Sequence, residues 1–193
     1  MYLPPHYGTD DPDVAWQLAS EHPFGLLMAG EDVTPLPWLL DAKRGVLRSH
    51  LAAANPMSAA VDGERATVVF QGPDGYVSPT WYREPRQFVP TWNYAVATFR
   101  GIVRRLDRER TRALMWKLCE RFEAEGGYRP DWIERPFFEE LLDELVGIEL
   151  VVESSVAKLK LSQNREPEDR ARVMAALEAG GNPGLAGWMR RTR

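Results

Sequence analysis

Residues 69–82 read Val-Phe-Gln-Gly-Pro-Asp-Gly-Tyr-Val-Ser-Pro-Thr-Trp-Tyr, and residues 89–94 read Val-Pro-Thr-Trp-Asn-Tyr. The stretch interleaves Phe70, Tyr76, Trp81, Tyr82, Trp92 and Tyr94 with Gln71, Ser78, Thr80, Thr91 and Asn93. Aromatic and β-branched runs punctuated by Gly and Pro are strand signals. Broad rings beside short donors and acceptors also suit a pocket for a flat ligand with a polar edge. The same residues equally fit two core strands whose aromatics simply face inward.

Outward from this stretch, the pattern continues as short strands. Phe24–Ala29, Leu36–Leu40 and Val46–His50 are separated by turns at Gly30-Glu31-Asp32 and Asp41–Gly45. A helical turn is expected over Leu51–Asn55. Ala66–Gln71 and Tyr76–Ser78 then flank an expected turn at Gly72-Pro73-Asp74-Gly75. Thr91–Arg104 is a longer strand in which Gly101 marks a bulge or bend, and Gly147–Glu153 and Val156–Leu161 close the series. Helices are expected at 11–20, started by Asp11-Pro12, at 108–125 behind Asp107, at 136–146, and at 167–179 before Gly180-Gly181-Asn182-Pro183. Strands first and helices inserted late argue for an antiparallel barrel or an α+β domain. No G-x-G-x-x-G or phosphate-loop motif supports a parallel nucleotide-binding sheet.

At 193 residues the chain suits one domain, or one with an appendage. Cys119 is the only cysteine, which excludes an internal disulfide. His6, His22 and His50 lack zinc-site spacing, so no metal is expected. Apolar runs are too short to span a membrane. The opening Met1-Tyr2-Leu3-Pro4-Pro5 lacks a signal-peptide pattern, so a cytoplasmic location is the expectation. Charge is uneven: residues 154–193 hold eight Lys/Arg against four Asp/Glu, a net +4, leaving −8 for the first 153 residues of a chain whose total is −4. A basic end on an acidic body is a weak nucleic-acid footprint. Without a helix-turn-helix pattern, direct DNA binding is not expected.

Several blocks together resemble one family. They are residues 1–7 (Met-Tyr-Leu-Pro-Pro-His-Tyr), 48–56 (Arg-Ser-His-Leu-Ala-Ala-Ala-Asn-Pro), 69–82, 89–96, 147–150 (Gly-Ile-Glu-Leu) and 158–164 (Lys-Leu-Lys-Leu-Ser-Gln-Asn). In order and spacing, up to about residue 175, the chain resembles the PaiB family, described as FMN-binding negative transcriptional regulators. The resemblance implies a split β-barrel of the pyridoxamine-phosphate-oxidase type, with six or seven antiparallel strands and peripheral helices. It also implies a homodimer with FMN at the subunit interface. On this reading residues 1–164 form the barrel, with helices inserted over 106–146, and residues 165–193 form a C-terminal helix and basic tail. The chain departs from the family pattern at Pro35-Leu36-Pro37, where a His usually stands two residues before the Pro of the second strand, in a shorter connection from Tyr82 to Val89, and at Leu159, commonly Trp.

FMN offers a dianionic phosphate, a hydroxylated chain and a tricyclic ring, so its site needs cations and short donors. Arg48 and His50 lie two apart on a strand and share a face, as do Lys158, Lys160 and Ser162. Lysines on a strand also serve simply to guard a sheet edge. The candidate cofactor residues are Arg48, His50, Asn55, Thr91, Trp92, Asn93, Lys160, Ser162, Gln163 and Asn164. Thr91 and Asn93 are expected on one strand face, Trp92 and Tyr94 on the other. No nucleophile–base pairing is recognisable, so catalytic residues are unassigned. Two functions follow: a flavin-dependent regulatory or sensing protein, as the resemblance implies, or a flavin-dependent oxidoreductase, of flavin-reductase or haem-degrading type, on the same barrel.

Overall fold

The computed structural model describes residues 1–9, 11–129 and 132–192. Its strands are β1 (Gly8–Thr9), β2 (Phe24–Ala29), β3 (Asp32–Pro37), β4 (Leu39–Asp41), β5 (Val46–Ala52), β6 (Arg65–Val77), β7 (Thr91–Arg105) and β8 (Leu145–Lys160). Its helices are α1 (Pro12–Glu21), α2 (Met57–Ala60), α3 (Arg108–Phe122), α4 (Arg135–Asp143), α5 (Pro167–Ala179) and α6 (Pro183–Arg191). Strands pair in the order β3-β2-β6-β7-β8-β5-β4, with β1 on β8. The expected antiparallel sheet with peripheral helices is present, with eight strands rather than six or seven. By contact density the chain divides into two compact units, residues 22–70 with 98–155, and residues 1–21, 71–97 and 156–193.

In the unit of residues 22–70 and 98–155, strand alternation buries Leu27, Val68, Phe70 and Phe99 completely. Phe70 and Phe99 meet edge to face at 5.6 Å. Trp38 is buried between β3 and β4, and its indole N–H donates to the Gly25 carbonyl at 3.3 Å. Each such aromatic or Leu side chain removed from water contributes about 1.5–3 kcal/mol. On β5, Leu47, Ser49 and Leu51 face inward, leaving Arg48 and His50 on the opposite face. The expected helical turn over 51–55 is replaced by strand at its start. The helix instead begins at Met57, where the Asn55 carboxamide oxygen accepts the Met57 N–H at 3.0 Å. Asp107 caps α3 by accepting the Arg110 N–H at 2.7 Å. Leu114 and Leu118 of that helix join Leu106, with Leu39 and Met115 packed against them. Trp116 stacks on Phe138 of α4 at 4.1 Å.

Gly101 does not break β7. An added Cβ there would lie 1.9 Å from the Val151 carbonyl oxygen, so the absent side chain admits the backbone of β8.

In the other unit, α1 buries Ala15, Leu18 and Ala19, and α5 buries Val173 and Leu177. The expected turn at residues 72–75 is absent, and β6 runs straight through it. The true turn glycines, Gly30 and Gly45, have φ of 58° and 65°, whereas neither Gly72 nor Gly75 takes a positive φ. What holds this segment extended is α6. The Asn182 side chain donates to the Asp74 carbonyl at 2.8 Å, and the bare Gly75 lets Leu185 close in. Gly180 and Gly181 end α5 as expected, but the chain then starts a further helix: Asn182 accepts the Leu185 N–H at 3.2 Å and Pro183 opens it. Leu185, Ala186, Trp188 and Met189 are then buried.

Candidate functional site

The ends of β7 and β8 carry the most unusual chemistry in the chain. Lys158 and Lys160 alternate with buried Ala157, Leu159 and Leu161, so both ammonium groups lie on the outer face of β8. Lys160 Nζ donates to Thr91 Oγ1 and, at 2.8 Å, to the Trp92 carbonyl. Both acceptors are neutral. Burial lowers the Lys160 pKa below its ordinary value, and repulsion from Lys158 and Arg165 pushes the same way, against an opposing effect of Tyr94. Lys158 sits over the rings of Tyr2 and Tyr94, 5.8 and 5.5 Å from their centroids. Arg165 lies over Phe88 and Tyr82, at 4.4 and 5.3 Å. Among the described residues none of the three cations is paired with a carboxylate. Beside them Trp92 is 53 % exposed and meets Tyr76, 46 % exposed, edge to face at 6.5 Å.

The turn that follows β8 is fixed from within. Ser162 adopts φ 61°, a left-handed conformation that a non-glycine residue holds only with support. Its hydroxyl and the fully buried Asn93 carboxamide hydrogen-bond each other at 2.9 and 3.2 Å. Gln163 folds back, accepting the Leu161 N–H at 2.7 Å and donating to the Leu159 carbonyl at 2.5 Å. Three of the residues read from the sequence as ligand contacts therefore spend their polar groups on the backbone and on each other. Asn164 is exposed.

The structure brings Thr91, Trp92, Asn93, Lys160, Ser162, Gln163 and Asn164 together at one end of the β7–β8 pair. Arg48, His50 and Asn55 belong to the other compact unit. Arg48 Nε donates to Glu149 Oε2 at 2.5 Å, an oxygen it shares with Arg110. Asn55 accepts the Met57 N–H and donates to Thr34 Oγ1 at 3.1 Å. His50 keeps a buried Nδ1 without a partner, and burial holds its pKa below the ordinary histidine value. The sequence reading missed Arg165 and gave Lys158 only as a neighbour of Lys160. The alternation Lys158–Lys160 was the available signal for the second of these.

The described cations of the C-terminal segment beyond Arg165 are paired or tied down. Arg170 donates to the carbonyls of Met189 and Thr192, closing the end of α6. Arg172 donates to the Trp81 carbonyl at 2.8 Å. Arg190 pairs with Glu178, and Arg191 with Glu21 at 2.7 Å. Arg193, counted with this segment, lies outside the described residues. The described residues hold no group of three or more metal-ligating side chains. No described helix is long and apolar enough to cross a membrane.

Comparison with known proteins places the chain in a family. Residues 1–154 match the family described as "Putative FMN-binding domain". The chain is 29% identical over 192 residues to "Protease synthase and sporulation protein PAI 2" of Bacillus subtilis, covering 95% of this chain and 92% of that protein. It is 27% identical over 227 residues to an uncharacterized protein of Emericella nidulans, covering 92% and 90%. Among solved structures, the FAD and haem binding protein of Mycobacterium smegmatis superposes with a TM-score of 0.64 at 17% identity, over 86% of this chain and 78% of that one. The flavocytochrome Anf3 of Azotobacter vinelandii gives 0.64 at 13% identity, over 86% and 75%. These structural likenesses establish the split-barrel fold. The family match spans most of the chain and makes FMN the supported cofactor, and the chain accordingly belongs to this FMN-binding family, that of PaiB.

Proposed function

We propose that the chain holds FMN at the Lys158–Lys160–Arg165 cluster and works as a flavin-dependent regulatory or sensing protein of the cytoplasm. The observation that carries this reading is a partly buried lysine whose hydrogen-bond acceptors are both neutral. Taking an ammonium out of water without a counter-charge is costly. A phosphate dianion arriving there relieves that cost and restores the lysine's basicity. The cluster fits the phosphate because no carboxylate among the described residues competes for it, and the exposed faces of Trp92 and Tyr76 fit an apolar ring.

Within this reading Lys160 makes the charge-assisted contact, with Thr91 holding its Nζ in place. Lys158 and Arg165 add positive potential while anchored on aromatic faces. Asn93, Ser162 and Gln163 act indirectly, by fixing the left-handed turn that follows β8. Asn164 offers an amide to the hydroxylated chain. Bound FMN supplies reversible electron transfer through its ring, and the residues here bind and orient it. Titrating the protein into FMN is expected to quench flavin fluorescence saturably. Anaerobic NADPH is then expected to leave the flavin yellow. Rapid bleaching would contradict the sensing role and favour a reductase.

The reading includes a homodimer. Phe24, Leu26 and Met28 of β2 and Val33 of β3 are all exposed, and Val33 pairs with Met28. A contiguous apolar strip on a sheet face is the kind of surface a second copy covers. Light scattering at micromolar concentration is expected to give twice 21.9 kDa. A monomer mass would refute the dimer.

Regulation through direct DNA contact by the C-terminal segment is disfavoured, because Arg170, Arg172, Arg190 and Arg191 are engaged within the chain. Phosphate neutralisation by free cations makes DNA binding fall steeply with salt. The isolated protein is expected to give no sequence-selective gel shift at low or physiological salt. A salt-sensitive, selective shift would overturn this.

A further inference from the structure

We propose that a cationic cleft formed by α3 and the β4–β5 hairpin is a binding site for a small phosphate-type dianion. The proposal does not rest on the flavin reading: the cleft belongs wholly to the unit of residues 22–70 and 98–155, and the Lys160 cluster to the other. The cleft has a volume of about 160 Å³ and is lined by Arg44, Arg48, Arg110 and Lys117 over an apolar floor that includes Leu106 and Leu114.

The sequence builds this arrangement in two pieces. Arg110, Leu114 and Lys117 follow a spacing of four and three, which places them along one face of α3. Leu114 is pinned in the cluster with Leu106 and Leu118, so that face is fixed in rotation. The hairpin contributes Arg44 from its turn and Arg48 from β5, where Arg48 stands opposite Glu149 in register.

The charges do not balance. Glu149, only 9% exposed, accepts Arg48 Nε at 2.5 Å and Arg110 Nη2 at 3.2 Å on the same oxygen. Asp41 lies 3.7 Å from Arg48 Nη1 and 3.9 Å from Arg44 Nε. Lys117 has no carboxylate partner among the described residues. Four cations thus share two carboxylates, a surplus of two positive charges. Glu149 also does something a simple ion pair does not: it clamps two guanidinium groups by one or two of their five N–H donors each. The remaining donors are held ready without cost at the moment of binding. A pre-positioned arginine pair with an added lysine is the donor set that a doubly charged oxyanion recognises.

Size narrows the class. A cavity of roughly 150 Å³ accommodates a molecule as large as benzene. The cleft therefore has room for a phosphate carrying a short carbon skeleton against Leu106 and Leu114.

The probe is inorganic phosphate, titrated calorimetrically into the full chain at constant ionic strength, with chloride as the control salt. Saturable phosphate binding is expected, weakened by about tenfold or more in Arg110→Gln/Lys117→Gln. Lys117→Gln alone, at an exposed position that leaves the fold untouched, is expected to weaken it several-fold. Lys160→Ala is expected to retain it. No saturable phosphate binding by the wild type overturns the proposal. So does unchanged affinity in the Lys117→Gln and double variants, or loss of binding in Lys160→Ala with retention in the double variant.

Discussion

Lys160→Ala is expected to weaken FMN by about tenfold to a hundredfold, because a charge-assisted hydrogen bond contributes roughly 1.5–3 kcal/mol. Riboflavin, which lacks the phosphate, is expected to change by only about twofold, within the scatter of a lost surface packing contact. The difference between the two ligands is what matters. Alanine frees Thr91 Oγ1 and the Trp92 carbonyl, both of which Lys160 now bonds, and any loosening of that strand end falls equally on both flavins. Fluorescence quenching titrations of FMN and riboflavin against wild type and variant measure it. Equal losses would mean that Lys160 acts by holding β7 in place and does not hold the phosphate.

Gly101→Ala is expected to destabilise the fold by about 3 kcal/mol or more, at the upper end of overpacking effects. The added Cβ would meet the Val151 carbonyl oxygen at 1.9 Å and the Val151 carbonyl carbon at 2.8 Å. Neither is the yielding end of a side chain. Relief by moving β8 is blocked, since Val151 is paired in register with Val46 of β5 and the Val152 N–H is bonded to the Gly45 carbonyl at 2.9 Å. Urea unfolding followed by tryptophan fluorescence reads the loss as a shift of the midpoint. A cost below about 1 kcal/mol, typical of an ordinary substitution, would show that the two strands separate easily.

What was legible in the sequence follows from which forces act locally. The antiparallel class was legible because period-two burial is written into β2, β5 and β7, as in the alternation of Leu47, Ser49 and Leu51 with Arg48 and His50. The unbroken β6 was not. Gly72-Pro73-Asp74-Gly75 has the composition of a turn, and only the distant Asn182 and Leu185 hold it extended. The helix α6 had a usable local signal, Asn182 before Pro183, which lies directly behind the true end of α5 at Gly180-Gly181 and was read as part of it.

The candidate site divides in the same way. Lys160 and Thr91, 69 residues apart, converge at one end of the β7–β8 pair, and the family's 158–164 and 89–96 blocks pointed to them. Whether a polar side chain is free to bind depends on partners that a linear pattern does not reveal. Asn93 and Ser162 satisfy each other, Gln163 closes its own turn, and Asn55 accepts the Met57 N–H. The excess positive charge of residues 154–193 suggested an exposed basic tail for the same reason. Counting charges does not reveal the pairing: Glu178 of the same segment and Glu21 from outside it meet Arg190 and Arg191.

The most direct test of the central claim is a crystal structure of the full chain with FMN bound. The account predicts the phosphate within hydrogen-bond distance of Lys160 Nζ, with Lys158 and Arg165 as its nearest other cations and Trp92 or Tyr76 against the ring. A phosphate seated elsewhere, with Lys160 still bonded only to Thr91 and the Trp92 carbonyl, would contradict it.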